Sequence, residues 1–226
     1  REGVGTRVLN DVDMSVFPVA DRPSAEKLRG GYYTPAPIAD FLASWVGPAG
    51  TRLLEPRCGD GAILKALPQT PHLTGVEIES SEAAKAAEAA PAAEIVVDDF
   101  FAWFGEQHFE SWDGVAGNPP FIRFGNWVES SRAQAFELMR SAGMRPTKLT
   151  NAWVPFIVAG AIALRPGGRL GLVVPAEVLQ VNYAAELRSF LVDRFEELTA
   201  VTFQRLVFDG VLQEVTVEVG QQITPG

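Results

Sequence analysis

The sequence predicts an α/β fold: a doubly wound, mostly parallel seven-stranded sheet closed by a C-terminal antiparallel hairpin. Three observations predict it. From Arg52 onward, short apolar or β-branched runs alternate with helical stretches, the pattern of parallel strands joined by crossover helices. The first of those runs ends in a Gly-x-Gly turn that opens a helix. Two β-rich runs lie close together near the end of the chain, as a hairpin would place them.

The elements follow in order. "TRLLEP" reads as the first strand and "GAILKALPQ" as the helix that leaves the glycine turn. "LTGVEI" is the second strand, and the Ala-rich "SSEAAKAAEAAPAAE" is a helix stopped by Pro91. "AEIVVDDF" and "WDGVAGNPP" are the third and fourth strands. Residues 151–164 form a helix ended by Pro166-Gly167-Gly168, and "RLGLVVP" is the fifth strand. "YAAELRSFLVDRF" is a helix, and "ELTAVTFQR" and "QEVTVEV" are the last two strands. Between them, residues 122–150 carry Arg123, Arg132, Arg140, Arg145 and Lys148 without a clear pattern. Arg132 and Arg140 read as the solvated face of a helix, with Arg123 left open. Residues 1–29 read as an N-terminal lead-in with disorder expected and no assigned function.

Composition narrows the function classes. At 226 residues the chain suits one domain, 30–220, with a small appendage. No run approaches the roughly eighteen apolar residues of a membrane helix, and no basic-then-apolar leader opens the chain, so a soluble, cytoplasmic protein is expected. A single cysteine excludes an internal disulfide, and two histidines make a zinc site a poor expectation. The net charge of −9 is uneven: residues 1–119 hold 9 Lys/Arg against 18 Asp/Glu, whereas residues 120–226 hold 10 of each. That is no basic stripe, and any nucleic-acid role has to meet this objection. The chain opens on Arg1 without a Met and closes on a weak "QQITPG", so a trimmed piece of a longer protein is expected.

In such sheets ligands bind beyond the carboxyl ends of the strands, so those ends carry the chemistry. At the first, Glu55-Pro56-Arg57-Cys58-Gly59-Asp60-Gly61 is a strand followed by a glycine turn. It lacks the third glycine of a dinucleotide fingerprint and any phosphate-anchoring Lys, so a nucleoside without a pyrophosphate fits it better than NAD or ATP. A plain βα turn is the competing reading. At the second, Glu77 is placed to accept from ribose hydroxyls, and Ile78 to cover an adenine ring. The competing reading is a solvated carboxylate beside Glu79 and Glu82. At the third, Asp99 suits an adenine amino group and Phe100 its face, although either alone passes as a helix cap or a core ring.

The fourth end, Asn118-Pro119-Pro120-Phe121, is the most specific. Proline has no N–H, so the loop offers carbonyl acceptors with few competing donors, and Asn118 adds a side-chain acceptor. Two acceptors beside an aromatic face suit an exocyclic amine on a planar ring. Accepting both its N–H bonds, through Asn118 Oδ1 and the Pro119 carbonyl, favours a tetrahedral nitrogen with its lone pair exposed. Phe121 would stack on the ring.

With these motifs in order, the chain resembles the Rossmann-like class I S-adenosylmethionine-dependent methyltransferases, and within them the gamma-type adenine-N6 DNA methyltransferases of restriction–modification systems. The resemblance runs from about residue 30 to about residue 219. It adds "GYYTP" with the following "APIADFLASWV", whose Tyr33, Thr34 and Pro35 it implies at the methionine end of the cofactor with Glu55 and Gly59. Pro56, Cys58 and Gly61 belong by resemblance to the cofactor loop, and Asn118 touches the cofactor as well as the base. Phe208 aligns with a position that packs against the flipped adenine.

The family implies S-adenosyl-L-methionine as cofactor, no metal, double-stranded DNA with a flipped adenine as partner, and no membrane. Two departures stand out. Arg57 occupies a place where the family usually has Ser or Ala, and residues 1–226 are expected to lack the target-recognition domain that follows the family's core, so weak DNA binding is expected. Alternatives stay open: protein glutamine and RNA guanine N-methyltransferases also use "NPP" loops, and a noncatalytic module would suit Arg57 and the acidity. The tyrosine pair and Phe208 favour DNA adenine.

Overall fold

In a computed structural model of the chain, residues 33–175, 185–202 and 215–223 are described. The strands are β1 Arg52–Glu55, β2 His72–Glu77, β3 Glu94–Val97, β4 Trp112–Gly117, β5 Leu164–Pro175, β6 Phe195–Thr202 and β7 Val215–Gln222. The helices are α1 Ala36–Val46, α2 Ala62–Ala66, α3 Ser80–Ala89, α4 Phe100–Trp103, α5 Glu129–Ser141, α6 Trp153–Ala163 and α7 Ala185–Val192. One seven-stranded sheet runs β3-β2-β1-β4-β5-β7-β6. Strands β1 to β5 are parallel, and β7 is antiparallel to both neighbours. The predicted architecture is the observed one, with the last strand inserted inside the penultimate one. Strand order reverses between β1 and β4, which opens the crevice there.

The inner parallel strands β1, β2, β4 and β5 are largely apolar runs because both faces are covered, whereas the edge strand β3 stays half-exposed. Successive residues go to opposite sides: Leu54, Val115, Leu170 and Leu172 join the core under α4 to α7, while Leu53, Ala116 and Val173 join the core under α1 and α2. Helix α6 is buried at ten of its eleven positions, enclosed between the sheet and its neighbouring helices. Among the described residues no helix is long and apolar enough to cross a membrane.

Two elements differ from expectation. The Pro166-Gly167-Gly168 run does not follow α6 as a loop. It lies inside β5, where Trp112 pairs with Leu164 and Gly114 with Arg169, so an irregularity absorbs the run. Gly167 takes φ +78°, which a side chain disfavours. Ahead of the first predicted strand, α1 forms because Pro35 caps it in an extended conformation and its carbonyl accepts from Ile38 and Ala39 N–H. Ile38, Leu42 and Val46 then face the sheet. A Cβ on Gly114 would come within 2.4 Å of Val46 Cγ1, so that glycine lets α1 lie close on β4.

Candidate active site

The carboxyl ends of β1, β2, β3 and β4 bring the four predicted segments to one end of the sheet. After β1 the chain turns at once: Cys58 N–H donates to the Val76 carbonyl at 3.0 Å, and Gly61 N–H to the Cys58 carbonyl at 2.8 Å. Gly59 has φ +53°, and a Cβ built on it meets nothing within 4 Å, so its outer face is open to a ligand. Gly61 has φ +84°, and its constraint comes from packing, since a Cβ there would lie 2.7 Å from the backbone of Ala86 in α3.

Glu77, at the end of β2, is buried and fastens this turn. Its Oε2 accepts from Gly59 N–H at 3.0 Å and its Oε1 from Glu79 N–H at 2.9 Å. Each oxygen keeps a second lone pair, so the carboxylate can hold the turn and still accept from hydroxyls. Arg57 Nε stands 4.0 Å from Glu77 Oε2. Glu55, at the end of β1, is buried with Oε2 lacking any hydrogen-bond partner. Burial pushes its carboxyl well above the usual carboxylate range; a bond from the Leu64 backbone opposes this, and Asp60 and Glu77 reinforce it. Burial likewise raises the Cys58 thiol, with Glu55 and Glu77 adding to the shift.

Asp99 caps α4, its Oδ1 accepting from Phe101 N–H at 2.9 Å and Ala102 N–H at 3.2 Å. Phe100 is a core ring, stacked on Phe104 and Phe156 with centroids 5.2 Å away in each case. Both residues also border a cavity of about 670 Å³. Of the predicted residues, Pro56, Ile78, Asp99, Phe100, Pro120 and Phe121 line it. Glu55, Gly59, Glu77 and Asn118 stand at the same carboxyl end of the sheet. Asn126, Trp127, Val128 and Ser131, to which the sequence pattern assigns no role, also line the cavity. Their only signal was position, since they follow the Asn118–Phe121 loop directly.

At the end of β4, Pro119 and Pro120 are buried, and the ladder stops where the N–H groups stop. Asn118 is half-buried, and its Nδ2 donates to Thr34 Oγ1 at 3.3 Å. Phe121 packs between the two cores. Tyr33 lies against α3, its hydroxyl 3.4 Å from Glu82 Oε2 and from Lys85 Nζ. Phe208 lies outside the described residues. Arg140 is the exposed partner of Glu137, as its position suggested. Arg132 is not a solvated residue: its Nη1 donates to the Phe124 and Trp127 carbonyls, because the loop after Phe121 folds back onto α5.

Residues 69–208 match the family described as Eco57I restriction-modification methylase, a span that includes the Asn118–Phe121 loop. The type II methyltransferase M.TthHB8I of Thermus thermophilus is 33% identical over 207 residues, covering 86% of this chain and 46% of that protein. The type II methyltransferase M.HincII of Haemophilus influenzae is 25% identical over 195 residues, covering 83% and 36%. The chain thus spans less than half the length of either relative. Among solved structures, a type I restriction-modification methyltransferase subunit from Streptococcus thermophilus aligns with TM-score 0.70 at 22% identity, over 86% of this chain and 45% of that one. A protein of Listeria monocytogenes described as a class I S-adenosylmethionine-dependent methyltransferase aligns with TM-score 0.64 at 17% identity, over 83% and 59%. At those identities the structures share the fold, and the closer sequence matches carry the kinship. On a match over more than half its length and a relative one-third identical, this chain belongs to the Eco57I restriction-modification methylase family.

Proposed function

We propose that the chain is the catalytic core of a DNA methyltransferase that moves a methyl group from S-adenosylmethionine to adenine N6, the modification activity of a restriction–modification system. The Asn118–Phe121 loop carries the reading. It leaves β4 beside the reversal of strand order, and the Thr34 contact engages the amide nitrogen of Asn118. The type II methyltransferases among the relatives support it.

The residues at the strand ends fit the cofactor. Its ammonium and sulfonium are cations, and the buried Glu55 Oε2 lacks a partner that a cation would supply. Gly59 leaves room for a ligand, Glu77 would accept from the ribose, and Ile78 with Asp99, which line the cavity, would border the adenine. When bound, S-adenosylmethionine would supply an electrophilic methyl whose departure leaves a neutral thioether, and the methylated amine would give up one proton to solvent. Asn118 Oδ1 and the Pro119 carbonyl accept the two N–H bonds of the target amine and hold its lone pair towards that methyl. Phe121 fixes the plane of the base, and Phe208 is assigned its edge or other face. Stacked adenine is unreachable, so the base is flipped out of the duplex. A net charge of −9 gives this chain little phosphate affinity of its own, and sequence recognition is assigned to the part of the relatives outside the matched span.

The test is incubation with methyl-labelled S-adenosylmethionine and unmethylated double-stranded DNA, followed by nucleoside analysis. Label is expected in N6-methyladenine alone, and Asn118→Ala is expected to lose turnover while keeping S-adenosylhomocysteine binding. Label in cytosine, RNA or protein, or full activity of Asn118→Ala, would overturn the assignment.

A further inference from the structure

The loop after Pro120 is held by more contacts than a surface crossing needs. Ala152 N–H donates to the Ile122 carbonyl at 2.9 Å, and the Trp127 indole N–H donates to Ser131 Oγ at 3.3 Å in a buried setting. Between those ties sits a tight turn, Phe124–Asn126. Arg132, in the first turns of α5, closes on it: Nη1 donates to the Phe124 carbonyl at 3.1 Å and to the Trp127 carbonyl at 3.2 Å. The guanidinium carbon also lies 4.1 Å above the Phe124 ring. One cation thus gathers two carbonyls and a ring from a single turn, a geometry that the planar guanidinium supports and an ammonium matches poorly. Asn126, Trp127 and Val128, which this turn presents, line the same cavity as Ile78 and Asp99.

We propose that Arg132 is a positioning residue for cofactor binding: it clamps the Phe124–Asn126 turn, and through it fixes the wall that closes the nucleobase end of the cavity. The inference rests on the cofactor assignment made above, not on the identity of the methyl acceptor. It requires Arg132 to act on the nucleoside half of the ligand. Adenosine and S-adenosylhomocysteine should therefore lose affinity by the same factor when the clamp is removed.

Calorimetric titration of the protein with both ligands tests this, on wild type, Arg132→Met, Arg132→Lys and Phe124→Leu, beside thermal melts without ligand. Arg132→Met is expected to weaken both ligands about tenfold, the scale of one charge-assisted hydrogen bond. Arg132→Lys should fall between it and wild type, and Phe124→Leu should show a smaller loss in the same direction with an unchanged melt. Wild-type affinities in Arg132→Met, or a loss confined to S-adenosylhomocysteine, would overturn the inference. So would an Arg132→Met that merely unfolds while a folded Phe124→Leu binds both ligands normally. A wild-type protein that binds neither ligand would instead refute the cofactor assignment, and the inference with it.

Discussion

Asn118 and Thr34 are 84 positions apart in sequence, yet Asn118 Nδ2 donates to Thr34 Oγ1 at 3.3 Å. The bond joins the segment ahead of α1 to the loop after β4 and engages the amide nitrogen of Asn118. Thr34→Val keeps the shape and removes the acceptor. Its single-turnover methylation rate is expected to fall roughly five- to tenfold, the equivalent of about 1 kcal/mol. Thr34→Ser should stay near wild type. Rapid-quench kinetics at saturating cofactor check both; an unimpaired Thr34→Val removes the orienting role.

Glu55 gives a pH dependence with opposite signs for binding and for stability. Its carboxyl is held well above the ordinary range, so it carries a proton at pH values where an exposed glutamate does not. A cationic cofactor prefers the ionised form. Affinity for S-adenosylmethionine should thus increase as pH rises through the Glu55 titration, with a proton released on binding. Stability runs the other way: the raised value makes its contribution full below the ordinary carboxylate range and lost as pH rises through the folded value. Glu55→Gln should flatten the affinity profile and, at the alkaline end, raise the melting temperature by roughly 2–4 °C per kcal/mol recovered. Calorimetry in buffers of different ionisation enthalpy reads the proton; the same release from Glu55→Gln would assign it elsewhere.

Glu77 and Ile78 are neighbours that should separate in their effects. Both Glu77 oxygens accept from backbone N–H groups of its surroundings, so Glu77→Gln turns an amide N–H₂ against one of those donors. Cofactor affinity and melting temperature should fall together, by about 1–3 kcal/mol for the unsatisfied group. Ile78 is 47% exposed on the cavity rim, so Ile78→Ala should weaken the cofactor and leave the melt unchanged. A melt lowered equally by both substitutions would contradict this division.

Strands β1, β2, β4 and β5 were legible because each buries residues on both faces, which leaves a short apolar run that a polar helix face cannot imitate; β3, half-exposed at the sheet edge, was legible from its β-branched residues. Glu77 and Asn118 were legible for a related reason: each breaks such a run at its carboxyl end. Pro166-Gly167-Gly168 misled because turn residues normally end an element, whereas here the β4 partner keeps the strand paired across them. Arg132 misled because its spacing on α5 is that of a solvated face, and only the fold-back of the Phe124–Asn126 turn gives it two carbonyls to bind. Helix α1 had its signal in Pro35 and the spacing of Ile38, Leu42 and Val46, but it stands outside the strand–helix alternation that organised the rest.

Asp113 tests the fold at the opposite end of β4 from the candidate site. It is buried, its Oδ2 accepts from Thr51 and Arg52 N–H at 2.9 Å each, and Arg165 pairs with its Oδ1. A Cβ on Gly50 would lie 2.4 Å from the Asp113 carboxyl carbon, so the entry to β1 is shaped around this carboxylate. Removing the acid strands two backbone donors, whereas removing Arg165, which is half-exposed, leaves the N–H bonds in place. Asp113→Ala should therefore cost about 3 kcal/mol and Arg165→Gln about 1 kcal/mol or less in urea unfolding. S-adenosylhomocysteine affinity should be unchanged in both, because neither residue reaches the carboxyl ends of the strands. Equal costs would mean that the ion pair, and not the capped backbone, holds the start of β1; a cofactor defect in Asp113→Ala would mean that strain at this end reaches the site through β1 and β4.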